Sequence, residues 1–253
     1  METCAPAPGQ EALEPTSALL LKLRLRDGLT DHEASVLAAA VERIETCAAN
    51  HLLVAAGDPL NHSILLIEGL VARHKDLADG QRQITELHVP GDFVDLHGYL
   101  LKRLEHHVST LSAARLAFIP HSALTRITER EPHLGRMLWL STMIDGAVQR
   151  ERILSIGRRS AVGRIAHLIC ELFARLEVVG LTDGDSFALP ITQMDLADAT
   201  GLTSVHVNRM LRQLRHEGMM TFRGGIVEIH DLPRLERAAE FDRSYLFLDS
   251  QPR

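Results

Sequence analysis

The sequence has few of the features that announce a chemical centre. Its 253 residues hold three cysteines, Cys4, Cys47 and Cys170, scattered and without a Cys-x-x-Cys spacing. That excludes a zinc, iron–sulfur or redox centre built on paired thiols. Cys47 and Cys170 are instead expected in the core, where free cysteine packs as a small apolar residue. No apolar run approaches the roughly 20 residues a membrane helix requires. The start, "METCAPAPGQEALEPTS", lacks the basic-then-apolar order of a secretory signal, so a cytoplasmic chain is expected. Positive charge is also short: a formal net charge of −6 gives no bulk attraction to nucleic acid, and any such binding must come from a local patch. No Gly-rich loop leads into a helix as a phosphate cradle would. Among the 14 histidines no His-Glu-x-x-His spacing occurs, which argues against a zinc hydrolase.

What is present divides into distinct textures. At 45% hydrophobic content the chain can bury a core in one large or two modest domains. Residues 1–17, rich in Pro, Ala and Glu, read as a disordered lead-in. "LTDHEASVLAAAVERI" opens with Thr30 and carries Glu33 three residues on, a capping-box spacing that starts a short helix. From about 51 to 120, short apolar runs such as "SILLIEG", "LVARHK" and "RQITELHV" alternate with "GDP", "DLADG" and "VPGD", the spacing of an antiparallel β-roll rather than of parallel βαβ units. After Pro120 the pattern turns helical. Pro132 suits a first helical turn. Met137, Leu140, Ile144, Ala147 and Leu154 then recur at coiled-coil spacing, interrupted by Glu151, and are predicted to form a dimer seam. A second face, with Leu138, Trp139 and Thr142, is expected to pack on the β-roll.

The C-terminal part carries the strongest signal. "ITQMDLADATGLTSVHVNRMLRQLRHEGMMTFRGGIVEIH" reads as helix, turn, helix and two-stranded wing. Thr192 and Asp195 form a second capping box, Gly201 permits the tight turn, Thr203 caps the next helix, and Gly224-Gly225 suits a two-residue hairpin. On the second helix Val207, Met210, Leu211 and Leu214 form one stripe. Val205, Asn208, Arg209, Arg212 and His216 lie opposite. Between residues 201 and 225 four arginines (Arg209, Arg212, Arg215, Arg223) face one acid, Glu217, a local +3 in an acidic chain. Arginine bonds bidentately to guanine, asparagine to adenine, and valine meets a thymine methyl. Thr203, Ser204, Val205, His206, Asn208, Arg209, Arg212 and Arg223 are therefore the candidate DNA-binding residues, with double-stranded DNA as partner.

On these motifs, residues 51–235 resemble the Crp/Fnr superfamily of transcription regulators, most specifically in "DLADATGLTSVHVNRMLRQLRHEGMM" and more loosely in "EGLVARHK" and "VPGDFVD". The resemblance implies an α+β chain in which a cyclic-nucleotide-binding-like β-roll (a double-stranded jelly roll) precedes a long dimerisation helix and a C-terminal winged helix-turn-helix. The corresponding boundaries are 18–131, 132–157 and 158–253. It implies a homodimer on a palindromic site, with RNA polymerase as a further partner, and it puts Arg209 on the family's guanine-reading arginine. Val205 stands where better-known members carry a base-reading glutamate. The effector positions also depart: a Gly-Glu pair is replaced by Asp95-Leu96, and an Arg-Ser or Arg-Thr pair on the phosphate by His106-His107. The charge complement of a cyclic phosphate is thus missing, and cyclic AMP is not the expected effector. The amino-terminal cysteine cluster of the oxygen-sensing branch is absent too. No cofactor is identified. His88, His97, His106, His107, His121 and His133 are dispersed, and in a strand His106 and His107 would face opposite sides. A rival reading is a histidine-dependent metal or haem protein, a cupin-like enzyme or gas sensor with an appended nucleic-acid domain. No nucleophile–base set supports catalysis, and the chain is read as a regulator rather than an enzyme.

Overall fold

The structure, a computed structural model, describes residues 15–251. The proposed lead-in of residues 1–17 falls largely outside them, and its last residue already opens a helix, α1 (Ser17–Arg26). Helix α2 (Asp31–Ala39) starts at the capping box: Thr30 Oγ1 accepts from the Glu33 amide while the Glu33 carboxylate accepts from the Thr30 amide. The helix ends before "VERI". Arg43–Cys47 is instead an edge strand, β1, with largely exposed side chains, and Cys47 is half-buried rather than a core residue.

The β-roll follows with β2 (Leu52–Val54), β3 (His62–Glu68), β4 (Val71–Asp76), β5 (Arg82–His88), the one-turn helix α3 (Gly98–Leu101), β6 (His107–Thr110) and β7 (Ala114–Pro120). Its antiparallel strands form two sheets, β1-β7-β3 and β2-β6-β4-β5. Two turns need glycine for steric as well as torsional reasons. A Cβ on Gly69 (φ +93°) would lie 2.3 Å from the Ala113 carbonyl oxygen, and one on Gly91 (φ +86°) 2.7 Å from the Ala18 carbonyl carbon of α1. The second contact seats α1 against the "VPGDF" turn.

Helix α4 (His121–Arg130) leads into α5 (Pro132–Arg158), with Pro132 in its first turn. Ser160 caps α6 (Ala161–Val178) by accepting from the Gly163 amide. After β8 (Ser186–Ala188) come α7 (Gln193–Thr200), α8 (Ser204–His216), β9 (Met220–Arg223), β10 (Ile226–Ile229) and α9 (Leu232–Ala239). The wing is three-stranded, in the order β8-β10-β9, because the short segment at Ser186 adds an outer strand. Gly224 and Gly225 adopt φ +59° and +76° in its hairpin, the torsions a two-residue turn requires. One apolar core crosses the molecule: Leu70, Ala72, Ile84 and Leu87 of the β-roll pack with Ile165, Leu168, Ile169 and Leu172 of α6 and with Leu196, Val207 and Leu214 of the helix-turn-helix.

The dimer seam predicted from α5 needs correction. Met137 is buried with Leu19 and Leu23 of α1, and Ile144 with Val148, Ala174 and Leu246; Ala147 is also buried, Leu140 half-buried, and Leu154 alone is exposed. Helix α1 and the segment after α9, neither anticipated, cover the more apolar stripe. Leu138 is buried as expected, but Trp139 points outward at 67% exposure, with Met143 and Ile153 also exposed on α5.

Candidate DNA interface and sensor centre

The helix-turn-helix is assembled by local chemistry. Thr192 Oγ1 accepts from the Asp195 amide and Asp195 accepts in return, which fixes the start of α7. Gly201 closes it in the left-handed conformation (φ +64°), and Thr203 Oγ1 accepts from the His206 amide to start α8. Val207, Met210 and Leu214 are buried, with Leu211 half-buried beside them. The opposite face stays open: Val205 is 75% exposed, and Thr203, His206, Arg209, Arg212, Arg215 and His216 are all exposed. Ser204 is half-buried, and so is Asn208, whose Nδ2 donates to Gln193 Oε1 at 3.3 Å. Arg223 sits exposed at the wing tip. Among the described residues, Arg209, Arg212, Arg215 and Arg223 have no carboxylate partner, so their guanidinium groups are free to meet phosphate oxygens and base edges.

The sensor positions are organised quite differently. Asp95 is fully buried; its Oδ1 accepts from the Ile64 amide at 2.6 Å. Burial pushes its carboxyl up to about 7, against the opposing effects of that amide and of Arg73. Leu96 belongs to the core with Phe93 and Ala117. The His106 ring packs on His97 and the His107 ring stacks on His74, both with centroids 5.3 Å apart, so the two neighbours diverge. His97 is pushed down to about 3, by burial first and then by Arg73 and His106. No three His, Cys, Asp or Glu side chains among the described residues converge as a metal site.

Arg73, at 1% exposure, is the residue that sequence reasoning missed. A register shift between Arg73 and His74 in β4 lets both side chains bury. Arg73 Nε donates to the Val94 carbonyl at 2.7 Å and one Nη donates to Glu86 Oε2 at 2.6 Å. The other Nη donates to the Phe93 carbonyl at 3.3 Å and to Asp145 Oδ2 at 3.1 Å. Gln149 Nε2 adds a bond to the same Glu86 oxygen at 3.2 Å. Burial disfavours the Arg73 charge, but Glu86 and Asp145 outweigh it and hold the pKa above its ordinary value. The signal that could have found the site is Asp145, a lone acid following the apolar run at Met143-Ile144. Beside the cluster lies a cleft of about 300 Å³ lined by Lys75, Thr85, His106, Gln149, Arg152 and Ile153.

Further ion pairs tie the β-roll to the C-terminal half. Asp92 meets Lys22 of α1 at 2.5 Å and Arg175 of α6 at 2.7 Å. Glu171 accepts from Arg152, Arg175 and the Tyr245 hydroxyl. Arg82 of β5 bonds Asp195 and Asp198 of α7 at 2.5 and 2.8 Å.

A β-roll joined by a long helix to a winged helix-turn-helix with an open basic face defines a class of sensor-linked DNA-binding proteins. Comparison with known proteins agrees. The cyclic nucleotide-binding domain family matches residues 44–131 and the Crp-like helix-turn-helix domain family residues 163–238. The anaerobic regulatory protein of Pasteurella multocida is 25% identical over 207 residues, covering 82% of this chain and 76% of that protein. The fumarate and nitrate reduction regulatory protein of Escherichia coli is 25% identical over 221 residues, covering 85% and 86%. In structure, FixK2 from Bradyrhizobium japonicum superposes with a TM-score of 0.71 at 24% identity, covering 78% of this chain and 96% of that one. The chain belongs to the Crp/Fnr superfamily of transcription regulators.

Proposed function

We propose that the protein acts as a homodimer that reads a palindromic duplex through α8 and does not use cyclic AMP as its effector. The observation that carries the reading is the open face of α8, where Val205 and Arg209 project outward from a helix whose start is fixed by the Thr203 cap. Arg209 reads guanine, Val205 contacts a thymine methyl, and Arg212 and Arg223 hold phosphate. Thr203, Ser204 and His206, at the start of α8, approach the backbone through the helix N-terminus. Asn208, steadied by Gln193, is placed for adenine.

The dimer reading rests on the outward stripe of α5. Trp139, Met143, Gly146, Arg150, Ile153 and Gly157 recur at steps of four, three, four, three and four, the repeat of a two-stranded coiled coil, with two glycines that allow close approach. A two-fold pair places the recognition helices on half-sites about 34–36 Å apart.

The reading without cyclic AMP is supported by what surrounds Arg73. A cyclic phosphate there would meet Glu86 and Asp145, and the one guanidinium is already bonded to both. With three cysteines in 253 residues, a four-cysteine iron–sulfur site cannot form within one chain, so the anaerobic role in the relatives' names is not carried over through such a cluster. In this reading the protein acts in the cytoplasm with RNA polymerase as a further partner, and without a catalytic activity of its own.

The test is selection from a random duplex library. An enriched inverted repeat supports the reading, and a library left unenriched at any protein concentration contradicts it. The lone Trp139 reports the dimer: its emission is expected to shift to the blue on association, and a spectrum independent of concentration in a protein that binds DNA would rule the seam out.

A further inference from the structure

We propose that DNA binding by this regulator needs no small-molecule effector, because the chain supplies its own link between the β-roll and α5: Arg73 with Glu86, Asp145 and Gln149. The inference deepens the regulator reading and rests on it. For a signal to pass from the β-roll to the DNA-binding half, something must hold the long helix to the strands. Here the chain does so itself. Arg73 and Glu86, on β4 and β5 and bonded to each other at 2.6 Å, hold Asp145 and Gln149, one turn apart on α5, through bonds of 3.1 and 3.2 Å.

A second set of pairs extends from the same helix. Arg152, farther along α5, bonds Glu171 of α6; Glu171 bonds Arg175; and Arg175 returns to Asp92 in the β-roll. Two sets of charged side chains therefore join the β-roll to α5, α5 to α6, and α6 back to the β-roll. Each side chain in them is less than a quarter exposed. Removing one member leaves its partner charged and buried, which is strongly unfavourable, so these pairs favour a single arrangement of the two halves.

The test uses the full chain, purified and dialysed until mass spectrometry detects no bound small molecule, titrated on a fluorescent duplex from the selection. Stripped wild type is expected to bind with undiminished affinity and to gain nothing from a small-molecule extract of cells. Asp145→Asn, at the accessible edge of the cluster, is expected to bind about tenfold more weakly, the scale of an ordinary coupling between sites, with faster hydrogen exchange in α5 around residue 145. Gln149→Ala removes one neutral bond and guards against misfolding of the first variant; about a threefold loss is expected. Wild type that binds only after the extract is added overturns the proposal, as do two variants that bind and exchange like wild type. Wild type that enriches no duplex, with or without extract, rejects the regulator reading and this inference with it.

Discussion

The open face of α8 and the centre of the β-roll contain the same residue type and use it in opposite ways. On α8 and the wing, Arg209, Arg212, Arg215 and Arg223 are exposed and have no carboxylate partner among the described residues. In the β-roll and its junction with α5 and α6, Arg73, Arg152 and Arg175 are buried and each meets one or two carboxylates. A paired guanidinium is structural; its attraction is consumed inside the chain, and it offers little to a phosphate. An unpaired one at the surface is available to a polyanion and adds little to folding. This explains how a chain of net charge −6 carries an open basic face: its acids lie mostly elsewhere, and four of them, Glu86, Asp92, Asp145 and Glu171, are bound to interior arginines.

The contrast is broken most severely in the β-roll. Glu86→Ala leaves Arg73 without its closest partner and is expected to cost about 3–5 kcal/mol of stability, whereas Arg209→Ala, on the open surface, is expected to cost less than about 0.5 kcal/mol. Urea melts of the two variants check this, and similar losses would erase the distinction. A smaller, pH-dependent effect isolates Asp95. Its carboxyl is raised from 3.8 to about 7, so between those values the folded protein holds a proton that the unfolded chain has released. The sign is therefore a stability contribution that falls as pH rises through this window. Asp95→Asn removes it and is expected to gain stability relative to wild type from pH 4 to pH 7; a difference that is flat with pH would show that Asp95 ionises normally. Smallest of all, Arg212→Ala and Arg223→Ala are each expected to lower the slope of log affinity against log salt by about 0.9 without altering base preference. A change in preferred sequence would move either residue from phosphate to base contact.

The same contrast governs what could be read without the fold. The helix-turn-helix was legible because its determinants are near neighbours: Thr192 with Asp195, Thr203 with His206, and Gly224 beside Gly225 each act within three residues. The Arg73 cluster was not, since Arg73 and Asp145 lie 72 residues apart and β4 is buried on both faces at Arg73 and His74, which removes the alternation that marks an inward residue. Helix α5 carries two stripes at coiled-coil spacing, and periodicity cannot say which is covered. The choice is made by α1 and by Leu246, whose packing no local pattern announced. β1 was missed for a related reason: Ile44 is 43% exposed, and "VERI" continues a run of alanines that suits a helix.

The central claim is that α8 reads sequence rather than merely holding DNA. It is tested most directly by selecting duplexes from one random library with wild type, Arg209→Ala and Val205→Glu at a single salt concentration. The account predicts that Arg209→Ala loses about 1–3 kcal/mol of affinity and its preference for guanine at one symmetric position. It also predicts that Val205→Glu redirects preference at an adjacent position, because a carboxylate accepts from cytosine and a valine cannot. Identical base preferences in all three proteins, with affinity alone reduced, would contradict it.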